Sequence, residues 1–238
     1  MAMALAEQAM AGRRAERAEA AGADQGVFSV VWRVHLAPPG EPATVVVKEP
    51  VPGPNGEAAA ASGAYRREAF AYRHLLPRSP VATPACLLVD GADPDRPRLV
   101  LEDLGRWRPV DQVTGMGPGD AAAVAVALAS LHRHWRADPD LDRLPVRRSA
   151  PAAFAPADLA AGRIALDQRW AGVLDRAQRA AAAALVDRRE PVVERFDAAG
   201  PLTLCHGDPR ADNLVFDAGG APVLFDWQQV AVQAGEAD

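Results

Sequence analysis

The stretch LTLCHGDPRADNLVFDAGGAPVLFDWQ, residues 202–228, decides how this chain is read. An apolar run, Leu202 to Cys205, leads into His206-Gly207-Asp208, and Asn213 follows Asp208 with four residues between. A short apolar strand, Leu214 to Phe216, is followed by a turn at Asp217-Ala218-Gly219-Gly220 and a second strand, Pro222 to Phe225. This pattern predicts a β-hairpin that delivers Asp226. A hairpin brings its two open ends together. Asn213 stands before one strand and Asp226 at the end of the other, so hard oxygen ligands converge there, with Asp208 beside them. Mg²⁺ is bound in this way, by one or two carboxylates plus substrate phosphates.

The spacing matches the protein-kinase pattern H-R-D, four residues, Asn, then a separate metal-binding Asp. Here His206-Gly207-Asp208 replaces H-R-D, and Asp226-Trp227-Gln228 replaces D-F-G. With those departures the stretch resembles the aminoglycoside phosphotransferase and choline kinase-like family, whose motif reads HGD, four residues, Asn, then a strand and an Asp followed by an aromatic. The resemblance implies an α+β, protein-kinase-like fold of two lobes. Residues 1–104 would form a small antiparallel-sheet lobe and residues 105–238 a mainly helical one. It further implies ATP-dependent phosphorylation of a hydroxyl on a small molecule, with ATP and Mg²⁺ as cofactors. Asp208 would take the hydroxyl proton, and Asn213 and Asp226 would hold the metal. Arg210, two residues after Asp208, is a candidate for neutralising charge on the transferred group; a plain surface arginine is the alternative reading.

Composition sets the bounds. A length of 238 residues suits one sizeable domain or two small lobes. A hydrophobic fraction of 49% with 24% charged residues reads as globular. The net charge of −5 gives no general attraction to nucleic acid or anionic membrane. No apolar run spans a bilayer, and Glu7 interrupts the apolar start, so residues 1–20 read as a short amphipathic helix or frayed terminus and not as a secretory signal. Cys86 and Cys205 read as buried free thiols, which fits a cytoplasmic protein. No Cys/His group has zinc spacing. Lys48 is the only lysine among 26 basic residues. Arg serves wherever a generic positive charge suffices, so a lone Lys suggests a position that requires a compact ammonium.

Taken in order, residues 24–36 alternate as a strand after Gly26, where a kinase-like fold carries its phosphate-covering hairpin; backbone N–H groups near Gly26 to Ser29 are candidates to meet phosphate. A full G-x-G-x-x-G is absent, and no Walker A pattern occurs. Ala43 to Glu49 is a β-branched strand carrying Lys48, matching the template lysine that pairs with the α/β-phosphates and a helix glutamate. Residues 50–63 read as a loop. Tyr65 to Leu76 reads as a helix bearing Glu68, the proposed partner of Lys48. Residues 85–90 and 98–104 read as strands, with Leu101-Glu102-Asp103-Leu104 as the hinge between lobes; the resemblance implies that the hinge backbone, at Glu102 and Leu104, holds adenine. Asp120 is expected to cap a helix over 121–136 whose core face is Val124, Leu128, Leu131 and Trp135. Residues 156–187 read as one or two Ala-rich helices, and 191–198 as a last helical turn.

Twelve residues follow Asp226. Related kinases continue for several helices beyond this point, so the expectation is a C-terminal lobe with those helices missing. Four readings follow: a small-molecule kinase, a nucleotide-binding pseudokinase or inactive fragment, a protein kinase, and an Ala-rich interaction module that binds no nucleotide. All five polar positions (Lys48, Glu68, Asp208, Asn213, Asp226) favour the first. Neither the acceptor nor the oligomeric state is legible in the sequence.

Overall fold

The computed structural model describes residues 1–21, 28–144, 156–169, 172–188, 190–191, 194–195 and 200–238. Gly26 and most of the turn expected over 191–198 lie outside these. Five antiparallel strands form the first sheet: β1 (Ala15–Ala20), β2 (Ser29–Leu36), β3 (Thr44–Pro50), β4 (Cys86–Asp90) and β5 (Arg98–Glu102). Their order is β1-β2-β3-β5-β4. The β-branched run Val45-Val46-Val47 sits at the sheet centre, between β2 and β5, where such side chains pack best. Val45 and Val47 turn one way and are fully buried. Lys48, the next residue along, therefore turns the other way.

The N-terminal segment differs from the sequence reading. Only Ala2–Ala9 is helical (α1), and it packs Ala2, Leu5 and Ala6 against Val34, Val45, Val47 and Val100 of the sheet. The chain reverses at Ala11 and Gly12, both with positive φ, and the helix-favouring run AERAEA becomes edge strand β1. Pairing with β2 overrides local propensity there. Arg13 fixes the entry to β1 by donating to the carbonyls of Ala37, Gly40 and Pro42 at 3.0, 2.6 and 2.7 Å.

Residues 50–63 also depart from expectation. Pro54–Ala61 is a helix, α2, with Pro at its first turn followed by Ala-rich sequence. α3 (Ala64–Phe70) continues as a wider π turn over Ala71–Leu75, so the helix expected at 65–76 is present with a local bulge.

After β5, residues 103–107 lead to β6 (Arg108–Pro109), which pairs with β8 (Leu214–Phe216); β8 pairs in turn with β9 (Pro222–Leu224). The expected hairpin is thus present, with Leu214 opposite Leu224. Asp217 closes its turn by accepting from the N–H groups of Gly219 and Ala221. α4 (Pro118–His134) begins earlier than expected, with Gly117 as its cap. Asp120 lies inside the first turn, paired with Arg108, and is not the cap. α5 (Pro156–Arg169) and α6 (Arg176–Asp187) follow, the latter opened by a capping box at Asp175. β7 (Leu202–Cys205) pairs with β10 (Ala231–Ala234), a strand the sequence reading did not anticipate.

One core joins the parts. Leu99 and Leu101 of β5, Tyr72 and Leu75 near α3, Leu131 and Trp135 from α4, and Leu204, Leu224 and Trp227 form a single buried cluster. The hairpin is also tied to the first half by the Leu224 N–H, which donates to Ala82 O at 2.9 Å. Trp135 is fully buried at this junction. Trp135→Ala is expected to lower stability by about 3–5 kcal/mol, measured by urea denaturation.

Candidate active site

β7 delivers the chain into His206, which is fully buried. Its Nε2 lies 2.9 Å from Phe225 O, an acceptor, so Nε2 carries the proton. Its Nδ1 then accepts from the Asp208 N–H at 3.3 Å. One neutral imidazole therefore spans the backbone before Asp226 and the backbone of Asp208. Its ring rests against Trp227, 4.5 Å between centroids. Gly207 has φ +85°, and a Cβ there would meet Gln229 O at 2.1 Å, so no side chain fits.

Asn213 is buried, and its Nδ2 donates to both the backbone O and the Oδ2 of Asp208, at 2.9 and 3.0 Å. Both partners only accept, so the Asn213 amide oxygen remains as a ligand atom. The Phe225 N–H donates to Asn213 O at 3.0 Å, which sets Asp226 beside Asn213. Arg210 Nε lies 3.5 Å from Asp208 Oδ2, and both side chains are partly exposed.

Asp226 is one of the few non-glycine residues with positive φ, at +62°. Such a conformation costs on the order of 1 kcal/mol or more and is held by its surroundings. The strong partner is Lys48: Nζ lies 2.7 Å from Asp226 Oδ1 and 2.7 Å from Glu68 Oε1. Burial opposes the Lys48 charge, but the two carboxylates outweigh it and raise its pKa. Burial likewise acts against ionised Asp226, and the Lys48 ammonium overcomes it and keeps the carboxyl below its usual range. Burial pushes Glu68 up, since one ammonium serves two carboxylates.

The remaining sequence candidates lie as follows. Ser29 opens β2 and is buried, its Oγ accepting from Gln228 Nε2 at 2.7 Å. Glu102 ends β5, where its carboxylate accepts from the Ala85 N–H and from Arg106. Leu104 O accepts from the Trp107 N–H at 2.9 Å, in the connection between the two sheets. Asp103 beside it is anchored by Arg33 at 2.7 Å. Lys48, Glu68 and Asp226 are thus brought into contact, and Asp208 with Asn213. Asn213 and Asp226 offer amide and carboxylate oxygens, a hard donor set that fits Mg²⁺.

Sequence reasoning missed Asp238. Its two oxygens accept from the His206 and Gly207 N–H groups at 2.8 and 2.7 Å, and His132 Nε2 lies 2.9 Å from Oδ2. It clamps the loop that carries Asp208, from 32 residues away in sequence. No local pattern marks it. Ligand atoms of His132, Cys205 and Asp238 come within 4.8 Å of one another. The oxygens of Asp238 are already engaged, and burial raises the Cys205 thiol, which points at backbone carbonyls.

The ammonium–carboxylate triad, the HGD loop anchored by buried His206 and the oxygen-bearing hairpin are the parts expected of a kinase-like phosphotransferase. The chain belongs to the phosphotransferase enzyme family, whose model matches residues 19–233. It is a small-molecule kinase by that membership. Its fold is shared by solved aminoglycoside phosphotransferases. A thermostable mutant of APH(4)-Ia is 15% identical with a TM-score of 0.55, covering 98% of this chain and 73% of that one. Spectinomycin phosphotransferase APH(9)-Ia in complex with ADP and spectinomycin is 14% identical with a TM-score of 0.60, covering 100% and 72%. The GDP and kanamycin complex of APH(2")-IIIa is 13% identical with a TM-score of 0.58, covering 98% and 74%. No curated protein sequence is recognisably similar. Among the described residues no helix is long and apolar enough to cross a membrane.

Burial holds His206 below its ordinary value of 6.5, so the unfolded chain takes up a proton that the folded state resists. The stability contributed by neutral His206 is fully present above that value and is lost as pH falls through the lower, folded one. The expected outcome is a fall in urea midpoint between about pH 7 and pH 5 that is flattened in His206→Gln.

Proposed function

We propose that this chain transfers the γ-phosphoryl group of ATP, as its Mg²⁺ complex, to a hydroxyl on a small molecule. The observation that supports this most directly is the single lysine held between Glu68 and Asp226. Lys48 presents a compact, permanently charged donor to the α/β-phosphates, and Glu68 keeps its stem from swinging away. Asp226 and Asn213 would hold the cation, which neutralises phosphate charge when bound. Phosphoryl transfer asks the protein mainly for positioning and charge stabilisation, and an ammonium held by two ion pairs supports that demand.

Asp208 orients the acceptor hydroxyl and takes its proton. Asn213 is bonded to the same carboxylate and keeps it aimed, while Arg210 sits on its open side to counter charge developing on the transferred group. Backbone groups at Glu102 and Leu104 would hold adenine, and those near Gly26 and Ser29 would cover the phosphates. We assign residues 1–104 to the nucleotide-covering lobe and 105–238 to the lobe with the catalytic loop.

The acceptor is a hydroxylated metabolite of the aminoglycoside, aminoalcohol or sugar class. Two of the solved structures named above carry kanamycin or spectinomycin, which fits a polyhydroxylated cationic acceptor. The net charge of −5 favours cations over nucleic acid and supports neither nucleic-acid nor membrane binding. A cytoplasmic location, where ATP is available, follows from this activity. The test is ADP release with Mg·ATP across a panel of such compounds. Asp208→Asn is expected to reduce turnover at least about 100-fold. Unchanged turnover in that variant would remove Asp208 as the base.

A further inference from the structure

Gln228 occupies the place where the protein-kinase pattern has the glycine of D-F-G, and a glycine has no side chain with which to do what Gln228 does. Its amide nitrogen donates to Ser29 Oγ at 2.7 Å, and its side chain lies close enough to the Glu68 carboxylate to favour its ionised form. The Gln228 backbone is fixed as well: its carbonyl accepts from Nε and Nη2 of buried Arg67 at 3.3 and 3.1 Å, and Arg67 Nη1 donates to Ser62 O at 2.6 Å. Gln228 and Ser29 are both buried, so solvent does not compete for these bonds.

Three separate elements meet at this one residue, α3 through Arg67 at its carbonyl. Ser29 opens β2, the strand entered from the segment proposed to cover phosphates. Glu68 lies on α3 and steadies Lys48. Asp226 stands two residues before Gln228 on the proposed metal-holding turn. Among the described residues, no other side-chain hydrogen bond joins the start of β2 to that turn.

We propose that Gln228 is a positioning residue that locks the phosphate-covering strand, the Lys48–Glu68 pair and the Asp226 turn into one preassembled nucleotide site. This rests on the kinase reading and adds to it a residue that touches neither the reacting atoms nor the acceptor. With the amide in place, nucleotide meets a site whose three walls are already in register. Without it, binding must first order β2 against the turn, and that ordering weakens affinity.

The experiment is a double-mutant cycle on nucleotide binding, with Mg·ATP as probe and calorimetry as readout. Gln228→Met keeps the length and apolar stem but removes the amide donor, and Ser29→Ala removes the acceptor. Each is expected to weaken Mg·ATP binding by about five- to tenfold. The double variant is expected to be no weaker than the worse single one, because both remove the same link. A purely structural role would lower the melting temperature and leave the dissociation constant unchanged; that result overturns the proposal, as do fully additive effects. If a variant fails to fold, Ser29→Ala alone decides it by the same shift in affinity. Wild-type protein that binds no Mg·ATP overturns the kinase reading and this inference with it. Wild-type binding with unaffected variants overturns the inference alone.

Discussion

One ammonium held between a buried and a half-buried carboxylate is the constraint around which this molecule is built. Lys48, Glu68 and Asp226 come from a strand, a helix and a distant turn, and they meet at 2.7 Å on each side of Nζ. Removing such charges from water is costly, and the pairing offsets that only when geometry is good. Two carboxylates facing one ammonium leave a local excess of negative charge. Within ~4 Å, like charges repel by about 4 kcal/mol at an effective dielectric near 20. The site therefore favours a further cation, and the oxygens of Asn213 and Asp226 are where one would sit.

The rest of the fold keeps the members of that triad from drifting. β3 is central in its sheet, so Lys48 is held in register between strands on both sides, opposite Val31 and Leu99. The π turn after Phe70 keeps α3 in the main core through Tyr72 and Leu75. On the other side, His206 holds the Asp208 and Phe225 backbones together, and Asp238 clamps the loop from behind. The unfavourable φ of Asp226 persists because the hairpin, the imidazole and Lys48 all specify its position. Conformational strain at a turn that presents a carboxylate is a recurrent property of functional sites.

The sequence made the centre legible because the centre is local. HGD, Asn213 and the hairpin lie within a short run, and turn chemistry plus strand alternation suffices to fold them on paper. Lys48 stood out because every other basic residue is arginine. What stayed hidden depends on long-range pairing. AERAEA has helix-forming composition, and only the open edge of β2 makes it a strand. The Ala-rich residues after Pro54 looked like loop because Pro and Gly precede them, yet Pro in a first turn starts a helix. Asp238 and Gln228 carry no pattern of their own; their meaning comes from N–H groups and a hydroxyl supplied by remote segments. Asp120 looked like a cap because its residue type suits one, but the helix had already begun at Pro118.

A chain with a single lysine permits a direct measurement of the central contact: acylation of primary amines under limiting reagent, read by mass spectrometry, with the N-terminal amine as internal reference. The account predicts that Lys48 reacts far more slowly than the N-terminus, that Asp226→Asn speeds its reaction, and that Mg·ATP slows it further in the wild type. Lys48 reacting as fast as the free terminus, indifferent both to Asp226→Asn and to Mg·ATP, would contradict it.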